Sequence, residues 1–156
     1  MKKLVFVVHN HQPVGNFDHV IRDAFEKSYK PFIDLVFSLR YPKICFHFSG
    51  ILYDWLMANE PSYLEKLREM ARRGQIEILS GGYYEPILGV IPERDRISQI
   101  KKLNDFINAK LDFSPRGLWL TERVFNPTIP GTLRASGIEY TLVDDTHLLT
   151  SGVSES

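Results

Sequence analysis

A chain of 156 residues with a 44% hydrophobic share has the length and apolar content of one domain with a buried core. Its 19 basic and 19 acidic residues cancel and neither sign forms a block, which argues against nucleic acid or an anionic membrane as a partner and favours a neutral ligand. The apolar run after Met1-Lys2-Lys3 is too short for a secretory signal, no other stretch is long and apolar enough to span a bilayer, and a single Cys45 cannot form an internal disulfide, so a cytoplasmic location is expected.

Leu4 to Val8 reads as a short buried parallel strand that stops at His9-Asn10-His11-Gln12-Pro13. Val20, Ile21, Ala24 and Phe25 then recur at helical spacing, and Pro31 can open a second segment carrying Phe32, Leu35, Val36 and Leu39, so two short helices or one kinked helix follow. From Lys43 to Ser49 the pattern alternates, with Ile44, Phe46 and Phe48 on one side and Cys45, His47 and Ser49 on the other, as a strand requires. Pro61 suits a first helical position, Leu64, Leu67, Met70 and Ala71 share a face, and Arg72-Arg73-Gly74 supplies a basic last turn and a stop.

Ile76 to Leu79 is the third predicted strand, ending at Ser80-Gly81-Gly82-Tyr83-Tyr84-Glu85-Pro86. Pro92 to Leu111 carries Ile97, Ile100, Leu103, Phe106 and Ile107 on one stripe, with Glu93 and Asp95 near the amino end, where a helix dipole favours anions. Gly117 to Leu120 forms a fourth strand that runs into Thr121-Glu122-Arg123. A short helix around Thr132 to Ala135 ends at Gly137, and Tyr140 to Val143 forms a fifth strand followed by Asp144-Asp145. Strands alternating with helices indicate an α/β fold of about five parallel strands over residues 1–149, with a polar tail at 150–156. The pattern leaves an open sheet and a barrel both available, but the first strand lacks the glycine-rich loop of a nucleotide-binding sheet.

Polar groups collect where the apolar runs stop, the rim at which α/β folds place reactive groups. Glu122 is the first candidate there, because glycoside chemistry uses one carboxylate to attack or stabilise the anomeric carbon and a second to protonate the leaving oxygen. His9 and His11, two apart in extended backbone, suit either metal ligation, as in a metal-dependent deacetylase-like barrel with an Asp, or hydrogen bonds to sugar hydroxyls alongside Gln12. The second reading is preferred for His11, and His9 is left open. Tyr83 and Tyr84 offer flat faces for a sugar, or packing, and Glu85 adds a carboxylate. Of Asp144 and Asp145, one is expected to cap the following turn rather than donate a proton. His47 either reaches the barrel interior near the other polar groups or is a core histidine, the second being preferred; Trp55 and Trp119 are read as core aromatics; Arg123 could pair with Glu122, although neighbouring strand residues diverge.

The elements His11-Gln12-Pro13, Gly81-Gly82-Tyr83-Tyr84-Glu85-Pro86 and Trp119-Leu120-Thr121-Glu122-Arg123 resemble, in order and spacing, the first three sequence regions of glycoside hydrolase family 57. That family holds α-amylases, 4-α-glucanotransferases and related α-glucan enzymes, and the glucanotransferase branch is the nearer in resemblance. The resemblance implies a (β/α) barrel of the seven-stranded type, here incomplete, acting on α-1,4-linked glucans with retention of configuration. It makes Glu122 the catalytic nucleophile and places His11, Gln12, Tyr84, Glu85 and Trp119 at the substrate site, with no metal and no cofactor for the chemistry. Family members are several hundred residues long and carry their acid/base Asp downstream of anything aligned here, so the short chain is expected to be handicapped alone. Open sheet edges invite self-association or a complementing chain. The alternative is a catalytically silent carbohydrate-binding or interaction module.

Overall fold

A computed structural model describes residues 3–39, 41 and 43–152. Its strands are β1 (Val7–Asn10), β2 (Ile44–Phe48), β3 (Ile76–Leu79), β4 (Gly117–Leu118) and β5 (Tyr140–Thr141). The helices are α1 (Asp18–Ala24), α2 (Lys30–Leu39), α3 (Gly50–Asn59), α4 (Pro61–Arg72), α5 (Glu93–Leu111), α6 (Ile129–Ala135) and α7 (Asp145–Leu149). None of them is long and apolar enough to cross a membrane.

All pairings are parallel: β1 with β2, β2 with β3, and β4 with β5. A single bridge between Ser80 and Leu118 joins the two groups. There Ser80 N–H donates to the Gly117 carbonyl at 2.8 Å, and Trp119 N–H donates to the Ser80 carbonyl at 2.7 Å. The spatial order is therefore 1-2-3-4-5 with no reversal. A doubly wound sheet reverses at a switch point, whereas a barrel adds each strand to the same side. The chain is thus an α/β fold of five parallel strands in barrel order, with the barrel incomplete.

β2 explains the layering. Phe46 and Phe48 are fully buried, stacked with ring centroids 5.9 Å apart, and face the helices together with Leu52, Leu56, Leu67 and Met70. The alternate residues Cys45 and His47 face the inside of the curve, as the two-residue period demands. A second core, of Leu88, Ile100, Leu118, Leu120, Ile129, Leu133 and Ile138, lies under β4 and β5.

Two local expectations need correction, and between them one choice that the sequence left open is decided. The first strand is Val7–Asn10 rather than Leu4 to Val8; Leu4, Val5 and Phe6 are 92%, 67% and 50% exposed. Register decides this: β2 begins at Ile44, so pairing runs from Val7 opposite Cys45 to Asn10 opposite Phe48 and draws His9 into the sheet. The segment after β1 is the kinked helix, α1 joined to α2 by a π-turn at Phe25–Tyr29 in which Lys30 N–H reaches back to the Phe25 carbonyl. Pro31 accounts for it, since its ring crowds the carbonyl four residues back and it has no N–H to donate. Finally, α3 and α7 form where no helix is expected. Ser49 Oγ caps α3 by accepting from Leu52 N–H. Of the polar tail, residues 153–156 lie outside the described residues, and Thr150 to Gly152 form a turn off α7.

Candidate active site

Three aromatic planes stand side by side at the carboxyl ends of the strands. The His9 imidazole, on β1, lies 4.5 Å from the Trp119 ring at an interplanar angle of 13°, and 4.9 Å from the His47 ring, on β2, at 20°. His11 continues the row, 5.9 Å from His9. Beside them lies the buried carboxylate of Glu85. His11 Nδ1 is in direct contact with Glu85 Oε2, while His9 Nε2 and His47 Nδ1 lie 3.5 and 3.7 Å from Oε1.

The loop after β3 delivers that carboxylate. Glu85 N–H bonds back to the Gly82 carbonyl at 2.9 Å, and Glu85 adopts a left-handed backbone with φ of 51°. Gly81 is required by close approach: a Cβ there would stand 2.4 Å from His47 Nε2. Because that ring is fully buried it cannot swing aside without disturbing β2. Gly81→Ala is therefore expected to cost roughly 1–3 kcal/mol by overpacking, read as a lowered midpoint in urea unfolding. A midpoint equal to wild type would show that the loop relaxes.

Glu122 sits in a tight turn, Thr121–Arg123, that follows β4 after Trp119 and Leu120, with φ of 54° at Glu122 and 53° at Arg123. Left-handed non-glycine residues cost of order 1–3 kcal/mol each and persist only where their surroundings enforce them. Four occur among the described residues. Asp112 ends α5 as a left-handed cap, and the other three are Glu85, Glu122 and Arg123. Arg123 is tied down from α7: its Nε bonds the Asp144 carboxylate at 3.0 Å, and its carbonyl accepts from His147 Nε2 at 3.1 Å. Asp144 stands at the cap position of α7 but makes no side-chain cap, so the expected capping role is replaced by this ion pair.

The electrostatics are set mainly by burial. Desolvation, reinforced by His11, pushes His9 down to about 4. Burial also lowers His11, against the opposing pull of Glu122, and holds His47 well below the usual imidazole range with help from His9 and His11. Burial thus favours the neutral form of all three imidazoles in the row.

His11, Glu85, Trp119 and Glu122 converge on one cavity of about 380 Å³, which His9, Ile87, Thr121 and Arg123 complete. Two of the candidate residues do not line this cavity. Gln12 is buried, with Nε2 donating to Tyr29 Oη at 2.7 Å and Oε1 accepting from Asn16 at 2.6 Å, so it braces the loop behind His11. Tyr84 is 44% exposed with the Lys102 ammonium 4.3 Å from its ring, because the left-handed turn at Glu85 sends residues 84 and 85 to opposite sides. Trp119, read as core, is half-buried at the cavity wall, whereas Trp55 is core. His47 is buried as expected, but it also joins the polar row; the alternation that opposed it to Phe46 was the signal for this. The donor atoms of His9, His11 and Glu85 lie within 4.8 Å of one another, compact enough to hold a cation, but the third donor is a glutamate rather than the Asp of the deacetylase-like reading.

Comparison with known proteins places this geometry. The chain is 53% identical over 148 residues to alpha-amylase 1 of Dictyoglomus thermophilum, covering 95% of this chain and 22% of that protein. It is 45% identical over 155 residues to the 4-alpha-glucanotransferase of Thermococcus kodakarensis, covering 99% and 24%. The crystal structure of the 4-alpha-glucanotransferase from Thermococcus litoralis superposes with a TM-score of 0.92 at 45% identity, over 97% of this chain and 24% of that one. The chain thus spans about a quarter of the length of the relatives it matches. The model of glycosyl hydrolase family 57 matches residues 5–156, and the chain belongs to that family.

Proposed function

We propose that this chain carries the nucleophile side of a retaining α-glucan active site, that of an α-amylase or 4-α-glucanotransferase, working in the cytoplasm. The observation that carries the reading is Glu122, held in a strained turn at a strand end and facing the wall of Trp119, His9, His11 and Glu85 across one cavity. At about 380 Å³ the cavity is in the range of small-ligand sites. A Glu122 oxygen attacks C1 of a bound glucosyl unit, the bond from C1 to the departing glycosidic oxygen breaks, and that oxygen takes up a proton. The resulting glycosyl ester is then cleaved by water, giving hydrolysis, or by the 4-hydroxyl of a second glucan, giving transfer.

The surroundings favour this chemistry. The transition state resembles an oxocarbenium ion, and a pocket with carboxylates and no imidazolium stabilises positive charge at C1. His11 sets Nδ1 against Glu85, so Nε2 is the ring nitrogen left to meet a sugar hydroxyl. Among the described residues lining the cavity, the carboxylates are Glu85 and Glu122. Glu85 is buried against imidazoles, so we assign the proton donor to a strand-end aspartate of a further barrel segment added at the open edges of β1 and β5.

Calorimetry with maltoheptaose separates this reading from its rival. Saturable binding with slow product release is expected. Binding with no product and no covalent intermediate would mark a silent carbohydrate-binding module, and absence of binding would refute both.

A further inference from the structure

His47 is not among the side chains lining the cavity, yet its Nδ1 is 2.9 Å from His9 Nδ1. Two ring nitrogens at that distance share one proton: one Nδ1 donates and the other accepts. With both rings neutral, each carries a single proton, so the choice at this contact fixes both tautomers.

The two choices differ at both far ends. Were His9 the donor, its Nε2 would turn a lone pair toward Glu85 Oε1, 3.5 Å away, and a lone pair facing a carboxylate in a buried site is repulsive. His47 would then carry its proton on Nε2. That atom is buried, has no hydrogen-bond partner among the described residues, and lies against Gly81, so a donor would be orphaned there. Were His47 the donor, His9 would carry its proton on Nε2, facing Glu85, and the orphaned atom of His47 would be an acceptor. Orphaned donors are the rarer in folded proteins. Both ends select the same arrangement.

We propose that His47 is a positioning residue that locks His9 in the Nε2–H tautomer and, through it, sets the Glu85 carboxylate and the ring plane on which Trp119 stacks. Its service to catalysis rests on the glucan reading above; the tautomer itself does not. A group in a second layer therefore decides how the wall of the cavity presents its protons, as ordering partners behind catalytic imidazoles do elsewhere.

The test is two-bond proton–nitrogen NMR of the ¹⁵N-labelled chain at neutral pH. The expected pattern is protonated Nε2 on His9 and protonated Nδ1 on His47; protonated Nδ1 on His9 overturns the proposal. His47→Asn keeps an N–H donor near the position of Nδ1 and should retain the His9 tautomer. His47→Phe fills the space but donates nothing and should give a mixture of both His9 tautomers. A folded His47→Phe chain with His9 still wholly Nε2–H also overturns it. Should His47→Phe not fold, the wild-type pattern and the His47→Asn result decide. None of these readouts uses glucan, so failure of the glycosidase reading would leave them intact.

Discussion

Glu122→Gln should abolish formation of the covalent glycosyl intermediate while leaving sugar binding within a few-fold of wild type. Glutamine keeps the shape and an acceptor oxygen of the side chain but is not a nucleophile. Loss of an attacking group lowers turnover by roughly 10⁴-fold or more in enzymes where it has been measured. The informative substrate is an α-glucosyl fluoride, whose departing fluoride needs little protonation, so the first step is read independently of any proton donor. Mass spectrometry of the wild-type chain should show one added glucosyl group on the peptide containing Glu122, and the Gln variant should show none. Labelling that persists in the variant, or that maps to another residue, would remove Glu122 from the reaction.

Acidification from pH 6.5 towards 4 should destabilise the fold well before carboxylate ion pairs begin to fail. In the unfolded chain a histidine takes up its proton near 6.5, whereas in the folded chain burial lowers His11, lowers His47 further and holds His9 at about 4. Between those values the unfolded chain binds more protons, so unfolding is favoured as pH falls and stability is full only above about 6.5. The slope approaches three protons where all three differ, and the share of His9 ends once pH passes below its folded value. The Asp34 and Glu139 carboxyls, lowered by Lys30 and Arg116, act in a separate and more acidic window. Urea midpoints at pH 7.5 and 5 give the comparison. Equal midpoints would mean that the three imidazoles titrate normally in the folded chain and that burial does not govern the site.

What could be read from the residues follows from the range of the forces involved. The period of two in β2 placed Phe46 and Phe48 against helices and His47 opposite them, because strand geometry is local. Stops of the apolar runs located His11, Glu85 and Glu122, and these did converge. Positions set by distant partners were not legible. The register of β1 depends on where β2 begins, so the strand starts three residues later and ends two residues later than the apolar run, nearer the histidines. Gln12 is claimed by Tyr29, seventeen positions along the chain, and Tyr84 is turned out by a left-handed Glu85 that no glycine or asparagine announces. α3 escaped because residues such as Ile51, Leu52, Tyr53, Trp55 and Leu56 leave too little polar face to show a helical period.

The single bridge at Ser80 divides the sheet into two banks, with the imidazole row and Glu85 on one and Glu122 on the other. A helix spans the same seam from behind: Ile100 of α5 packs under β4 while Leu103, Ile107 and Leu111 pack under β2 and β3. Arg96 and Asn104 of that helix also bond Thr128 and the Ser136 carbonyl on the far bank. The nineteen-residue rod therefore acts as a splint that helps to set the gap between Glu122 and the imidazole row. On the glucan reading proposed above, the width of the cleft is set partly by buried residues behind the sheet, Ile100, Leu103 and Ile107 among them, where changes would retune the gap without touching any side chain that lines the cavity.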